Sequence, residues 1–306
     1  MNAQPSQVLT KAAQGMVSIP DLPYGIYSDI PAEVYHHRKL GVVNAGALKI
    51  LSRQTPAHYR AWVDGQDKET AALEFGRAVH CALLEPDEFD KLYVCARSHP
   101  FNRPSERQRK AANPSDGTIK AIEYFDAWER ELAGRTEISA DQYETLRGMQ
   151  RSLDANPRAR SLLHSGLHEA TAIWKDPDHG LLCKARMDGY DAERGLVVDL
   201  KTAEDASPEG FRKSVARYGY HIQHAHYASA MQALGCPARA FVFVAVEKEP
   251  PYALACYVLD AEAEGRGIEL RDNAMKTLNH CLENDNWPGY AEHIQRLSLP
   301  GWALND

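Results

Sequence analysis

The sequence predicts an α/β fold in which a central mixed β-sheet is flanked by helices, with further helical additions. Three observations lead there. From Glu169 to Lys201 the apolar residues recur with period two in successive short runs. On either side, as at Ala71–Leu84 and Tyr220–Leu234, the period is helical. Beyond the second helical block, Ala238–Val246 is an unbroken apolar run suited to a buried strand. Helices, a meander of strands, helices and another strand describe one sheet covered on its faces.

Taken in order, residues 1–20 read as a flexible tail and 21–306 as a single domain. A turn-rich entry starts near Asp21. Asn44 is an N-cap for a helix to about Ser52, stopped before Pro56. The apolar helix Ala71–Leu84 carries Gly76 and His80 on one face, where a glycine allows close backbone approach beside the imidazole. Arg97–Lys110, rich in arginine and interrupted by proline, reads as a loop. Helices follow over about Thr118–Leu132, Ser139–Leu153 with a Ser139-x-x-Gln142 capping box, and Asn156–His164. Together they form a helical insert of about 97–165 packed on the core.

The alternating runs are Glu169–Trp174, Leu181–Tyr190 and Leu196–Lys201, separated by turns at Asp176–Gly180 and Asp191–Gly195. In the middle run Cys183, Ala185 and Met187 share one face, and Lys184, Arg186 and Asp188 the other. Pro208 opens a helix to about Arg217. A helix over Tyr220–Leu234, strands over Ala238–Val246 and Tyr252–Leu259, and an amphipathic helix over Ala261–Glu283 follow. Turns at Trp287–Tyr290 and Pro300–Trp302 end the chain.

Bulk properties narrow the class. At 306 residues the chain suits one large domain or two modest ones. No apolar run is long enough to span a bilayer, and Met1–Gly15 lacks the apolar core of a secretory signal. The six cysteines include no C-x-x-C pair, which argues against a zinc or iron–sulfur cluster and for reduced thiols in the cytoplasm. A net charge of −7 offers no global attraction to nucleic acid, though local basic patches can still bind phosphate.

The chemistry concentrates in Arg186–Lys201. Asp199 and Lys201 lie two apart on a strand and share a face, and Asp188 comes beside them if its strand pairs with theirs. If the first two strands form a simple hairpin, Glu169 points into the same neighbourhood. Carboxylates there hold a hard divalent cation, and a lysine orients or activates water. Taken singly, each feature has a plainer reading: Asp-x-Lys as a solvated hairpin, His80 as a satisfied core histidine, and Arg103, Arg107, Arg109 and Lys110 as a solvated basic loop rather than a phosphate grip.

As an ordered set, Gly76-x-x-x-His80, Glu169, Met187-Asp188-Gly189, Asp199-Leu-Lys201 and Gln223-x-x-x-Tyr227 resemble the PD-(D/E)XK nucleases of the RecB-like branch. The pattern is most similar to the RecE-type exonuclease VIII C-terminal nuclease domain of phages and prophages, as are Gly25-Ile-Tyr-Ser-Asp-Ile-Pro and Thr55-Pro-Ala-His-Tyr59. The resemblance spans roughly residues 21–290 and implies a restriction-endonuclease-like core. It implies Asp188 and Asp199 as metal ligands, completed by the Leu200 carbonyl, with His80 as a further ligand. Glu169 would hold a second metal or its water. Lys201 would position the attacking water, and Gln223 and Tyr227 would contact DNA backbone and brace Lys201. Arg186 joins the DNA-binding candidates. Asp199 stands where many members carry Glu, and Met187 stands where others carry Pro.

The implied activity is Mg²⁺-dependent hydrolysis from duplex DNA ends, 5′→3′ and processive, with Mn²⁺ able to substitute and one or two ions per site. The implied partners are a RecT-like single-strand annealing protein and copies of the chain itself in a ring, best taken as a tetramer. The implied setting is the cytoplasm of a bacterial host. Cas4-like and helicase-linked relatives fit less well without a cysteine cluster or Walker A motif. An endonuclease of the same fold, a non-catalytic DNA-binding protein and a small-phosphoester hydrolase are the competing readings.

Overall fold

The computed structural model describes residues 8–9, 18–65, 70–96 and 98–299. Most of the expected tail, together with Arg97 and the Pro300–Trp302 turn, lies outside them. The chain opens with β1 (Val8–Leu9), β2 (Gly25–Tyr27), α1 (Ala32–His36), β3 (Val42–Val43) and α2 (Ala45–Arg53). Then come α3 (Pro56–Asp64), α4 (Ala71–Leu84), α5 (Pro86–Leu92) and β4 (Tyr93–Cys95). The insert holds α6 (Glu106–Arg109), α7 (Asp116–Leu132), β5 (Thr136–Ile138), α8 (Ala140–Asp154) and α9 (Pro157–Leu163). The meander is β6 (Leu167–Lys175), β7 (Leu182–Asp191) and β8 (Leu196–Ala203). The remainder is α10 (Pro208–Tyr218), α11 (Tyr220–Ala233), β9 (Ala240–Glu247), β10 (Leu254–Tyr257) and α12 (Ala261–Asn284).

The main sheet runs β1-β2-β6-β7-β8-β9-β10, with β3 added beside β7. It is mixed: β6, β7 and β8 pair antiparallel, whereas β8 and β9 pair in parallel across the helices between them. One face buries Ala172, Ala185, Met187, Val197 and Phe243 under α2, α10, α11 and α12. The other buries Val198, Leu200, Val242 and Val244 under α4, α5, α8 and α9. Apolar burial on both faces is why β8 and β9 read as near-continuous hydrophobic runs.

Local signals held where they had a mechanism. Asn44 accepts from Ala47 N–H at 2.9 Å and starts α2. Ser139 and Gln142 cap α8 reciprocally, each bond 3.1 Å. Helix α2 stops at Arg53, before Pro56 as expected, and Pro56 itself sits in the first turn of α3, where its missing N–H leaves nothing unpaired. The Arg97–Lys110 loop contains the short α6, capped by Ser105 and Gln108. The insert divides: α8 and α9 belong to the main core, while α7 packs Phe125, Trp128 and Leu132 on a small cluster beside the β4–β5 pair. At the N-terminus, Val8–Leu9 pairs in parallel with Ile26–Tyr27, and Ile19 is buried beside Tyr27 and Tyr35.

Candidate active site at the parting of two strands

Strands β7 and β8 pair only from Gly189 to Asp191 against Val198 to Leu196. The next pair in that register would be Asp188 with Asp199. Instead the strands part, and Asp188 Oδ2 accepts the Leu200 N–H at 2.7 Å. The carboxylate satisfies the backbone donor that the parting would orphan. Further back, β3 takes up the same side of β7 at Leu182–Cys183. An acidic notch is therefore built into the sheet itself.

Glu169 enters from β6, opposite Asp188 in register between the pairs His168↔Gly189 and Ala170↔Met187. Its φ is +49°, left-handed for a non-glycine residue inside a strand. Such backbone costs roughly 1–2 kcal/mol and persists where surrounding structure imposes it. His80 comes from α4 on the adjoining layer, its Nδ1 3.6 Å from Asp188 Oδ1 and 3.9 Å from Glu169 Oε1. One ligand atom from each of His80, Glu169 and Asp188 lies within 4.8 Å of the others. The close approach expected at Gly76 is not found: a Cβ there would meet no described atom within 4 Å.

Asp199 and Lys201 form the other half. Lys201 Nζ is 2.5 Å from Asp199 Oδ2, and Gln223 Nε2 donates to Asp199 Oδ1, also at 2.5 Å. Both Asp199 oxygens thus face partners other than the His80–Glu169–Asp188 cluster. Gln223 braces Asp199, and not Lys201 directly. Lys201 also lies 4.8 Å from the centroid of the Tyr220 ring.

Electrostatics distinguishes the groups. Burial, with Asp199 and Glu169 adding repulsion, pushes the Asp188 carboxyl up to about 7 against the pull of His80 and Lys201. Burial disfavours the His80 imidazolium, but Asp188 and Glu169 outweigh it and hold its pKa above the usual histidine value. Burial likewise opposes the Glu169 carboxylate, yet its bond to His80 and the nearby Arg186 keep it low. Burial also works against the Lys201 ammonium, but Asp199 and then Asp188 more than compensate, so Lys201 stays charged. His80 and Asp188 therefore hold their protons more tightly than free side chains do, in answer to the closely spaced carboxylates. A divalent cation would displace those protons. The donor set, carboxylate oxygens with one imidazole, suits such a cation.

A family profile described as a PDDEXK-like domain of unknown function (DUF3799) matches residues 46–300. The chain belongs to that family. This PDDEXK-like domain also resembles, in fold, a crystal structure from Eubacterium rectale provisionally named an exonuclease. The TM-score is 0.57 at 12% identity, with 90% of this chain and 98% of that one covered. A phage-related exonuclease from Haemophilus somnus 129PT matches at TM-score 0.28 and 14% identity, over 60% of this chain and 92% of that one. No curated protein matches the chain in sequence. Among the described residues no helix is long and apolar enough to cross a membrane.

Several expected DNA contacts of the PDDEXK-like domain fall elsewhere. Tyr227 is 5% exposed, and its hydroxyl donates to the Arg186 carbonyl at 2.7 Å. Because α11 lies flat against the sheet, that tyrosine braces β7 from within the core. Arg186 is also buried, donating to Thr171 Oγ1 at 3.0 Å and to the Ile30 carbonyl, with its guanidinium 4.5 Å from the Tyr35 ring centroid. It bolts the N-terminal segment to the sheet and lies 3.9 Å from Glu169. Arg103 pairs with Glu129, Arg109 with Asp126, and Lys110 with Glu106. The acidic side of α7 thus neutralises much of the basic loop, while Arg107 is exposed on α6. Sequence reasoning missed Lys49 on α2, which donates to Gln223 Oε1 at 3.1 Å. A lysine inside a short apolar helix was its only signal.

Proposed function

We propose that the chain is a divalent-metal-dependent exonuclease acting on duplex DNA ends. The observation that carries the reading is the convergence of His80, Glu169 and Asp188 beside the Asp199–Lys201 pair where β7 and β8 part. Asp188 would be the central ligand, with His80 and Glu169 beside it. Asp199 would join through an oxygen released by Lys201 or Gln223, and the Leu200 carbonyl is the remaining candidate. Bound Mg²⁺ or Mn²⁺, one ion or two, would supply a polarised phosphate and a water of lowered pKa.

The chain's own residues do the rest. Lys201 is charged and therefore no proton acceptor for the attacking water; it donates hydrogen bonds and stabilises negative charge building on the phosphate. Gln223 orients the Asp199 carboxylate, and through it the paired Lys201 ammonium that meets this charge. Arg186, through Glu169, and Tyr227, through β7, hold the ligand-bearing strands in place. End-dependence, 5′→3′ polarity, processivity, a recombination role with an annealing partner and a tetrameric ring are part of the same reading, supported by the ordered motifs shared with RecE-type nucleases.

The test is digestion of linear, nicked and closed-circular duplex DNA with Mg²⁺, using 5′- and 3′-labelled strands, beside Lys201→Ala. Loss of one strand from its 5′ end on linear DNA alone, abolished in the variant, is the expected result. Cutting of closed circles would instead identify an endonuclease. Absence of cutting with every divalent metal would leave a non-catalytic DNA-binding protein. A light-scattering mass of one chain would refute the ring.

A further inference from the structure

Beyond the ligand cluster, an ordered polar chain runs from Lys49 through Gln223 and Asp199 to Lys201. Gln223 spends its amide at both ends, accepting from Lys49 Nζ at 3.1 Å and donating to Asp199 at 2.5 Å. Lys49 and Lys201 lie against the same aromatic ring, 5.4 Å and 4.8 Å from the Tyr220 centroid. The Lys49 stem reaches this place past Gly219, which joins α10 to α11 with φ +65°. A Cβ at Gly219 would meet Lys49 Cγ at 3.2 Å and Arg53 Nη2 at 3.0 Å. Left-handed backbone and close approach both call for glycine there.

We propose that Lys49 is a second phosphate-contacting lysine of this site, holding the DNA strand beside Lys201. The proposal rests on the nuclease reading above. As a structural bolt, an ammonium at this position makes little sense. It is partly buried, its bond goes to a neutral amide, and its electrostatic neighbours include Lys201 and Arg53 as well as Asp199. Burial and Lys201 together bring its pKa down to about 7. Arg53, one turn along α2, is engaged elsewhere, on the carbonyls of Ala216 and Arg217 that end α10. Lys201 has the Asp199 carboxylate as its ion-pair partner, whereas Lys49 bonds an amide, and a phosphodiester would bring it a negative charge of its own. A phosphate there would restore the charged form of Lys49 and relieve the repulsion between the two lysines.

The experiment compares full-length wild type, Lys49→Met and Lys49→Arg for binding of a fluorescein-labelled blunt duplex in Ca²⁺ across a salt series, with thermal unfolding of each chain alone. Lys49→Met should bind about tenfold more weakly and lower the slope of log affinity against log salt by about 1. It should unfold no earlier than wild type, because a desolvated amine has been replaced by an apolar side chain of similar length. Lys49→Arg should restore the slope. Unchanged affinity and slope in Lys49→Met, beside a wild type that binds and degrades duplex DNA, would overturn the proposal. So would a Lys49→Met chain that fails to fold, since Lys49 would then be a structural bolt. A wild type that neither binds nor degrades duplex DNA would overturn the nuclease reading, and this proposal with it.

Discussion

Replacing Asp188 by Asn separates what the site needs for folding from what it needs for chemistry. Burial and neighbouring carboxylates raise the Asp188 carboxyl from 3.8 to about 7. Between those values the folded chain keeps a proton that the unfolded chain has released. Its contribution to stability is therefore present below pH 3.8 and lost as pH rises through 7. At about 1.4 kcal/mol per tenfold change in proton affinity, the ionised carboxylate costs the metal-free fold roughly 2–4 kcal/mol at pH 8. Asn is nearly isosteric and its Oδ1 can still accept the Leu200 N–H that Asp188 now accepts. We expect Asp188→Asn to be more stable than wild type by roughly 2–4 kcal/mol at pH 8 with EDTA, the difference shrinking toward zero near pH 4. Saturating Mg²⁺ should narrow the gap, since ligand at about 100-fold its Kd stabilises only the wild type by about 2.7 kcal/mol. Urea unfolding followed by tryptophan fluorescence reads this directly, and DNA cleavage should be lost. An Asp188→Asn chain no more stable than wild type at pH 8 without metal would refute the account of a carboxylate held at the fold's cost.

Other expectations follow from the same geometry. Metal affinity measured by calorimetry should rise with pH up to about 7 and then level, because Asp188 must lose its proton to bind; a flat profile from pH 5 to 8 would count against it as ligand. Lys201→Ala should lower cleavage by about 100-fold or more while leaving duplex affinity in Ca²⁺ within a few-fold, and parallel loss of both would show that Lys201 mainly binds. Ser139→Ala removes one bond of the α8 capping box and should cost about 1 kcal/mol in urea unfolding with cleavage unchanged. Buried His226 is held neutral, its pKa pushed down by burial to about 3, so wild type should lose up to about 1.4 kcal/mol per pH unit as pH falls from 6.5 toward 3. His226→Phe should flatten that acid limb, and an unchanged limb would place the acid sensitivity elsewhere.

Much of this fold is legible in the sequence because its determinants are local. The capping box at Ser139, the N-cap at Asn44, the glycine-bearing turn at Asp191–Gly195 and the period-two runs of β6–β8 act within a few residues of themselves. So does the Asp199–Lys201 spacing, since the pleat alone puts both on one face. The ordered motifs also name His80, Glu169, Asp188, Asp199, Lys201 and Gln223, which the fold brings into one neighbourhood. What the sequence leaves undecided is direction and pairing. Tyr227 follows Gln223 by one helical turn, yet α11 turns it into the core while Gln223 reaches Asp199. Arg186 carries charge but points under α1, and Arg103 and Arg109 meet acids on α7 that lie far along the chain. Lys49 is 174 residues from the Gln223 it touches, and no periodicity announces such a contact. Local chemistry determined which residues could form a site; only the packing of α2, α4 and α11 around the parting of β7 and β8 decided which of them face one another, because burial and partner choice belong to surfaces that exist only once the layers have closed.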